Sequence, residues 1–169
     1  MEIQNRAALV RLLICDVDGT LTDGRLLLGP GGVEFKQFHV HDGYGLRQVM
    51  DAGIEVAIVS GRDSIVVTER MQALGVRYIH QGVGDKLAVV SELIRQLGLS
   101  LAQVCFVGDD EPDAPVMRRV GLGVAVANAH PSALAAAHCR TDLRGGHGAV
   151  REVCELLMRA QRPPRGAGH

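Results

Sequence analysis

The sequence predicts an α/β fold of the Rossmann-like, doubly wound type, in which a parallel sheet lies between two layers of helices. Short apolar runs rich in β-branched residues alternate with longer stretches whose apolar residues recur every three or four positions. Three of the longer stretches end at Gly53, Gly75 and Gly98, which is typical of helix C-termini. Strands that alternate with helices of this length form parallel sheets covered on both faces.

Six segments are predicted as strands. The first, residues 10–16, is too short and too apolar for an amphipathic helix. The other five are residues 54–60, 76–81, 103–109, 122–127 and the short segment 138–142.

Helices are predicted between these strands and at the end of the chain. The clearest of them begins at Lys86, because its apolar residues fall on one face, as expected for a helix that packs on a sheet. The predicted helices cover residues 45–53, 64–75, 86–98 and 149–160.

One segment interrupts the alternation of strands and helices. Residues 25–28 and 33–38 are short and strand-like, and a Gly-Pro-Gly-Gly turn separates them. This pattern predicts a small β-hairpin, at about residues 24–39, inserted after the first strand. We expect residues 1–161 to form a single domain, and the tail 162–169, which has no core-forming residues, to be mobile.

The composition excludes several classes of function. The net charge is −1, and the chain has no Trp, two Tyr and three Phe, so we expect no nucleic-acid or membrane partner. No apolar run approaches the roughly 20 residues that span a bilayer, and the N-terminus does not resemble a signal peptide. The four cysteines form no CxxC pair, so zinc-binding spacing is absent. These features predict a cytoplasmic protein.

Acidic residues follow two of the predicted strands. Asp16 and Asp18 come directly after the first strand, and the fourth strand is followed by Asp109, Asp110 and Asp113. The carboxyl ends of parallel strands meet at one edge of the sheet, where such folds bind ligands. These acids either mark exposed strand ends or surround a cation, because carboxylates that lie close together repel one another. Oxygen ligands would select Mg²⁺ rather than zinc.

A hydroxyl group and two cations are predicted at the same edge. Ser60, Gly61 and Arg62 follow the second strand, and Lys86 opens the helix after the third. A serine and the N–H groups of the following helix start suit phosphate oxygens, and a lysine neutralises their charge. Alone, the serine could be a helix cap and the lysine a solvated side chain. Together with the acids they indicate phosphoryl transfer through a carboxylate nucleophile.

Four motifs resemble, in order and spacing, those of the haloacid dehalogenase superfamily of phosphatases: DVDGTLTDG, VSGR, the helix-starting Lys86, and VGDDEPD. The resemblance implies that Asp16 is the nucleophile and Asp18 the general acid and base. It also implies a Mg²⁺ cofactor, ligated by Asp16, Asp109 and the backbone carbonyl of Asp18. Asp110 and Asp113 would lie outside these ligands and orient Lys86 and a metal-bound water molecule.

Further segments resemble the branch of this superfamily that dephosphorylates 3-deoxy-D-manno-octulosonate 8-phosphate for lipopolysaccharide synthesis. They are FHVHDGYGLRQV, QGVGDKL, GDDEPDAPVM, GGHGAVREVCELL and a short hairpin in place of a large cap domain. The resemblance implies substrate contacts from Ser60, Gly61, Arg62, Lys86, Arg47, Arg70 and a loop formed by His39, Val40, His41, Asp42 and Gly43. His39 and His41 stand where this branch often has Asn and Arg, which removes a permanent positive charge.

The missing cap domain has a consequence for assembly. The resemblance implies a homotetramer in which the hairpins meet at the centre and a neighbouring subunit completes each site. Two alternative functions remain: a phosphatase of nonulosonate 9-phosphates with the same mechanism, and a non-catalytic regulatory domain. The complete set of acids and the lysine argue against the latter. A phosphoacceptor signalling domain is disfavoured because its acceptor would follow a later strand.

Overall fold

The computed structural model describes residues 1–161, so the predicted mobile tail 162–169 lies outside the described residues. The strands are Leu12–Cys15 (β1), Leu27–Leu28 (β2), Glu34–Phe35 (β3), Glu55–Val59 (β4), Tyr78–His80 (β5), Val104–Gly108 (β6), Leu122–Ala125 (β7) and Cys139–Arg140 (β8). The α-helices are Ile3–Leu9 (α1), Val40–Asp51 (α2), Ile65–Leu74 (α3), Lys86–Leu97 (α4), Ala114–Met117 (α5), Pro131–Ala136 (α6) and Ala149–Gln161 (α7).

Six of the strands form one parallel sheet in the order β5-β4-β1-β6-β7-β8. Every residue of β1 and of β6 is buried, as expected for central strands covered on both faces. The chain leaves β1 toward β4 on one side and later returns to β6 on the other, so the direction of winding reverses at β1. This confirms the predicted doubly wound α/β fold, and ligands of such folds bind at the reversal point.

Two groups of helices cover the sheet. Helices α1 and α2 both pack against α7, and α3 contacts α2; in the second group, α5 contacts both α4 and α6. Right-handed crossovers place the two groups on opposite faces. Helix α7 shows how the sequence determines this packing, because its buried residues recur along one face: Ala149, Val150, Val153, Cys154 and Leu157.

The observed elements differ from the predicted ones mainly at their ends. Each predicted strand is present but shorter, because its terminal residues turn into the loops at the sheet edges. Helices α1, α5 and α6 were not predicted, since each has at most seven residues and little room for a helical period. Helix α2 begins at Val40, five residues before the predicted start at residue 45.

The predicted hairpin is formed by β2 and β3. The two strands are antiparallel, and Leu27 pairs with Phe35 across a 3₁₀ turn at Pro30–Gly32. Both of these side chains are largely exposed, and Leu26, Leu28 and Val33 are further exposed apolar residues of the insertion. No large cap domain interrupts residues 1–161.

The state of the cysteines and the length of the helices are relevant to metal binding and to membrane insertion. All four cysteines are free thiols; Cys15, Cys105 and Cys154 are buried, and burial raises the pKa of each of these three thiols. They pack as small apolar side chains. Within residues 1–161, no helix has the length and apolar character needed to cross a membrane.

Candidate active site

The loop after β1 is a tight turn that begins at Asp16. The N–H groups of Leu21 and Thr22 both donate to the carbonyl of Val17, at 2.9 and 3.1 Å. Gly19 has a φ of +88°, and a Cβ atom there would lie 1.9 Å from Asp109 Oδ2. Glycine is therefore required at this position, both for the turn and for the close approach of the loop that follows β6.

The two loops bring three carboxylates together. Asp16, Asp109 and Asp113 each offer an oxygen atom, and these oxygens all lie within 4.8 Å of one another. Burial and the charge of Asp113 raise the pKa of Asp16 to about 6. Burial and the charge of Asp16 raise the pKa of Asp109 to about 8. A cation at this cluster would relieve the repulsion, and three carboxylates are a donor set that suits Mg²⁺.

Lys86 supplies a positive charge to the cluster. Its side chain is buried, and Nζ lies 2.8 Å from Asp16 Oδ1 and 2.7 Å from Asp113 Oδ1. Burial lowers the pKa of the ammonium group, but the two carboxylates outweigh this effect and raise the pKa above its usual value. Asp85 holds the first turn of α4 in place by accepting a bond from the N–H of Ala88 at 3.1 Å. Lys86 therefore stays charged beside Asp16.

Asp110 and Asp113 have different surroundings, although both were expected to orient Lys86. Asp113 bonds to Lys86 and also accepts from the N–H groups of Asp109 and Asp110, at 2.9 and 3.2 Å. Asp110 instead accepts from the N–H of Glu111 at 2.8 Å and caps the 3₁₀ turn that follows. Within the described part of the chain it forms no bond with Lys86. The role expected for Asp110, outside the metal ligands, stays a prediction.

Ser60 lies at the end of β4, as the sequence indicated. Its N–H donates to the carbonyl of His80, and its own carbonyl accepts from Val83, at 2.9 and 3.0 Å. Helix α3 begins only at Ile65, and the N–H at its N-cap, Ser64, is bonded to the Gln81 side chain. No helix therefore starts directly after Ser60, because α3 begins five residues later.

A cleft of about 280 Å³ connects these groups at the carboxyl edge of the sheet. It is lined by Asp16, Asp18, Ser60, Gly61, Arg62, Val83, Gly84, Lys86, Asp109, Asp110, Pro112 and Asp113. The structure thus brings together residues from all four motifs that the sequence indicated.

The hairpin contributes two charged residues that sequence reasoning missed. Lys36 Nζ lies 2.5 Å from Asp18 Oδ1 and 2.7 Å from Glu34 Oε1. Arg62 lies 2.8 Å from Glu34 and 3.5 Å from Asp18. Burial lowers the pKa of Lys36, but its bonds to Asp18 and Glu34 outweigh this and raise it. Residues two positions apart in a strand share a face. The charged residues at positions 34 and 36, which alternate with Val33, Phe35 and Gln37, could therefore have indicated a polar face of the hairpin.

The predicted loop 39–43 is the start of helix α2 instead. His39 is the N-cap, and its Nδ1 accepts from the N–H of His41 at 3.1 Å. Asp42 is buried, and its Oδ1 accepts from the N–H of Arg151 at 2.9 Å. His39, Asp42, Gly43 and Arg70 line a small recess of their own, whereas Val40 and His41 are exposed. Arg70 therefore lies beside this segment, but neither Arg70 nor residues 39–43 line the acidic cleft.

Arg47 is not brought to the cleft. It is exposed, and its Nη2 donates to the carbonyl of Ala73, at the end of α3, at 2.9 Å. The sequence could not show this, because an arginine on an exposed helix face reaches several neighbours. Within one subunit the structure does not support the expected contact between Arg47 and the substrate.

A second missed feature is the loop before α7, which supports the loop after β1. A Cβ atom on Gly145 would lie 1.8 Å from the carbonyl oxygen of Gly19. The N–H of Gly146 donates to the carbonyl of Thr20 at 3.1 Å, and Asn128 Oδ1 accepts from the N–H of Gly145 at 2.9 Å. The glycines of the GGHG segment therefore allow close backbone packing behind Asp16 and Asp18.

Comparisons with known proteins agree with this geometry. A family model described as haloacid dehalogenase-like hydrolase matches residues 78–152. The 3-deoxy-D-manno-octulosonate 8-phosphate phosphatase of Yersinia pestis is 48% identical over 166 residues, which cover 98% of this chain and 89% of that protein.

Two solved structures are similar throughout. The crystal structure of the Yersinia pestis phosphatase has a TM-score of 0.92 at 48% identity, and covers 94% of this chain and 86% of that one. The phosphatase of the same name from Moraxella catarrhalis, solved in complex with magnesium, phosphate and KDO, has a TM-score of 0.92 at 41% identity, and covers 94% and 91%.

Proposed function

Because the chain belongs to the haloacid dehalogenase-like hydrolases, within the family of the 3-deoxy-D-manno-octulosonate 8-phosphate phosphatases, we propose that it hydrolyses this sugar phosphate. The products are free octulosonate and inorganic phosphate, and the reaction serves lipopolysaccharide synthesis. The observation that carries the proposal is the contact of Lys86 with Asp16 and Asp113, beside Asp109, at the floor of one cleft.

The residues present fit a Mg²⁺ ion. Burial and the charges of neighbouring carboxylates raise the pKa values of Asp16 and Asp109, and a bound cation would offset both effects. We propose that these two side chains and the backbone carbonyl of Asp18 hold the ion. Asp113 uses both oxygens for Lys86 and for backbone N–H groups, so it supports the site from outside. When bound, Mg²⁺ neutralises the charges of the phosphate and of the carboxylates.

The nucleophile is Asp16. Lys86 holds its carboxylate in one orientation, and an oxygen of Asp16 attacks phosphorus while the bond from phosphorus to the sugar oxygen breaks. The leaving oxygen takes a proton from Asp18. Asp18 then removes a proton from water, the water oxygen attacks the phosphorus of the aspartyl-phosphate, and the carboxylate of Asp16 is released together with inorganic phosphate.

Substrate binding would use the outer part of the cleft. Ser60, Gly61 and Lys86 are placed to bind the phosphate, and the half-exposed Arg62 can face the carboxylate of the sugar. Arg70, His39, Asp42 and Gly43 line a separate recess, Val40 and His41 are exposed, and Arg47 bonds to the carbonyl of Ala73. A role for these residues in binding sugar remains a prediction, and it requires contacts between subunits.

The assembly that we propose is a homotetramer in which a neighbour closes each cleft. The exposed apolar surface of the hairpin supports it, because an unpaired edge of this kind favours association. The cytoplasmic location that the sequence predicts remains a prediction.

Two alternatives lead to different measurements. A nonulosonate 9-phosphate phosphatase would use the same residues and turn over the nine-carbon substrate faster. A regulatory domain would hydrolyse neither sugar phosphate, although all five acids and Lys86 line one cleft.

We expect Mg²⁺-dependent release of phosphate from 3-deoxy-D-manno-octulosonate 8-phosphate, faster than from the nine-carbon analogue. EDTA should abolish the activity, and Mg²⁺ should restore it. D16N should lower kcat by at least about 10⁴-fold, because an amide cannot attack phosphorus. Circular dichroism should show that D16N stays folded. Activity that resists the chelator would contradict the metal role, and substantial turnover by D16N would contradict the nucleophile.

A further inference from the structure

Four side chains of alternating charge form a closed ring at the mouth of the cleft. Going round the ring, Asp18 contacts Lys36, Lys36 contacts Glu34, Glu34 contacts Arg62, and Arg62 returns to Asp18. Asp18 and Arg62 belong to the sheet edge, whereas Glu34 and Lys36 belong to the hairpin. The ring is thus the polar contact by which the hairpin meets the catalytic loop.

Lys36 occupies an unusual position for a lysine on a small hairpin. Its side chain is only 2% exposed, although neighbouring Phe35 is 60% exposed. Burying an ammonium group is costly unless carboxylates lie close to it. Side chains alternate in direction along an extended segment, so Glu34 and Lys36 can both reach the charges of Asp18 and Arg62 while Phe35 stays exposed.

Both oxygens of the Asp18 carboxylate face cations. Oδ1 lies 2.5 Å from Lys36, and Oδ2 lies 3.5 Å from Arg62. Glu34 bonds to the same two cations from the opposite side, at 2.7 and 2.8 Å. The hairpin residue Lys36 therefore restrains the rotation of the Asp18 side chain. Within residues 1–161, no side chain of the turn that contains Asp18 bonds to its carboxylate.

We propose that Lys36 is a positioning residue that orients the Asp18 carboxyl group for proton transfer to the leaving oxygen, with Glu34 holding Lys36 in place. The inference rests on the proposed phosphatase function. It gives the hairpin a function within its own subunit, in addition to the association between subunits that we propose for its apolar surface. When the bond between phosphorus and the leaving oxygen breaks, the proton moves from Asp18 to that oxygen, so an error in the direction of Asp18 slows this step.

The chemistry of the leaving group separates this role from a purely structural one. Phenolate is a more basic leaving group than p-nitrophenolate and depends more on protonation as it departs. Phenyl phosphate and p-nitrophenyl phosphate are otherwise similar in shape, and neither carries the sugar groups that Arg62 could bind. The quantity kcat/KM reports the steps through formation of the aspartyl-phosphate. The ratio of the two kcat/KM values does not depend on the fraction of folded enzyme.

The test compares K36M, K36R and R25M with the wild-type protein, with Mg²⁺ and both aryl phosphates. Arg25 is an exposed cation of the same insertion and forms no ion pair within residues 1–161, so it is the matched control. We expect K36M to lower kcat/KM for phenyl phosphate about tenfold more than for p-nitrophenyl phosphate. K36R should recover part of this difference, and R25M should leave both rates unchanged.

Two outcomes would overturn the inference, and they are distinguishable. If the wild-type protein is active but both lysine variants lower the two rates by the same factor, Lys36 does not orient the proton donor, and the proposed function stands. If the wild-type protein hydrolyses neither aryl phosphate nor the sugar phosphate, the proposed function fails and the inference fails with it. Should K36M not fold, the ratio measured for K36R decides.

Discussion

Asp16 and Asp18 lie two positions apart, yet they have different surroundings. Asp16 is buried beside Asp113 and Lys86, and burial raises the pKa of its carboxyl group. The Asp18 side chain is 21% exposed and lies between the cations of Lys36 and Arg62. A nucleophile must be held still and kept out of bulk water, whereas an acid and base must exchange protons with water. The turn through Gly19 produces this division.

The raised pKa values predict a dependence of stability on pH. Between about pH 4 and pH 8, Asp16 and Asp109 bind more protons in the folded protein without Mg²⁺ than in the unfolded chain, because their pKa values rise to about 6 and about 8. The free energy of unfolding should therefore fall as the pH rises through this range. Mg²⁺ requires deprotonated carboxylates, so it should stabilise the fold more at the upper end.

Thermal unfolding with and without Mg²⁺ measures this effect. At about pH 8, a Mg²⁺ concentration 100 times the Kd should raise Tm by about 5 to 10 °C, and at about pH 5 by much less. D109N should lose most of the shift at about pH 8, because it removes a metal-binding oxygen. Equal shifts at the two pH values would show that the acidic cluster does not bind the ion.

At the scale of the elements, the loop before α7 has a direct influence on the loop after β1. Gly145 packs against the carbonyl of Gly19, and Gly146 bonds to Thr20. Asp42 connects α2 to the start of α7, because its side chain accepts a hydrogen bond from the N–H of Arg151. Elements that are distant in the sequence therefore determine where the backbone of the catalytic loop lies.

G145A tests this packing, and G121A is its matched control. A Cβ atom on Gly121 would lie 2.2 Å from the carbonyl oxygen of Ala102, a comparable clash that lies outside the cleft. Both variants should lose about 1 to 3 kcal/mol of stability through overpacking. Only G145A should lower kcat per folded molecule, by about tenfold or more, because a small displacement of reacting groups is costly. Equal kcat values, with stability measured by urea unfolding, would contradict the prediction.

At the scale of the whole molecule, the parallel sheet brings the four motifs together. The strands that precede the first, second and fourth motifs are β1, β4 and β6, which are neighbours at the point where the winding reverses. Within residues 1–161, the hairpin after β1 is the one insertion between a strand of the sheet and the helix that follows it. A neighbouring subunit on the apolar surface of the hairpin would close the cleft.

Sedimentation equilibrium tests the proposed tetramer. L27D and F35D introduce charges into the paired, exposed apolar residues of the hairpin, so both should shift the protein from tetramer toward smaller species and lower its activity. L9D is the control, because Leu9 is also exposed but belongs to helix α1. A wild-type protein that is monomeric and fully active would refute the assembly.

How far the sequence predicts the site depends on the kind of information that each residue needs. Asp16, Asp18, Lys86 and Asp109 follow strands or open a helix, so their positions follow from the order of the elements and from the rule that strand ends meet. Lys36, Glu34 and Gly145 could not be placed in this way. Their contacts depend on where a hairpin and a distant loop fold back onto the sheet, and local periodicity carries no information about that.

The α/β class, the strands and the acidic edge of the sheet could all be predicted from the order and spacing of the residues, because these features depend on hydrophobic period and chain order. The partners of each charge could not be predicted in this way: Lys86 contacts Asp113 rather than Asp110, Arg47 bonds to Ala73, and Asp18 contacts a lysine of the hairpin. The difference lies in the distance along the chain between the residues that interact. Local patterns fix elements, whereas buried ion pairs form between side chains that only the packed fold brings within about 3 Å.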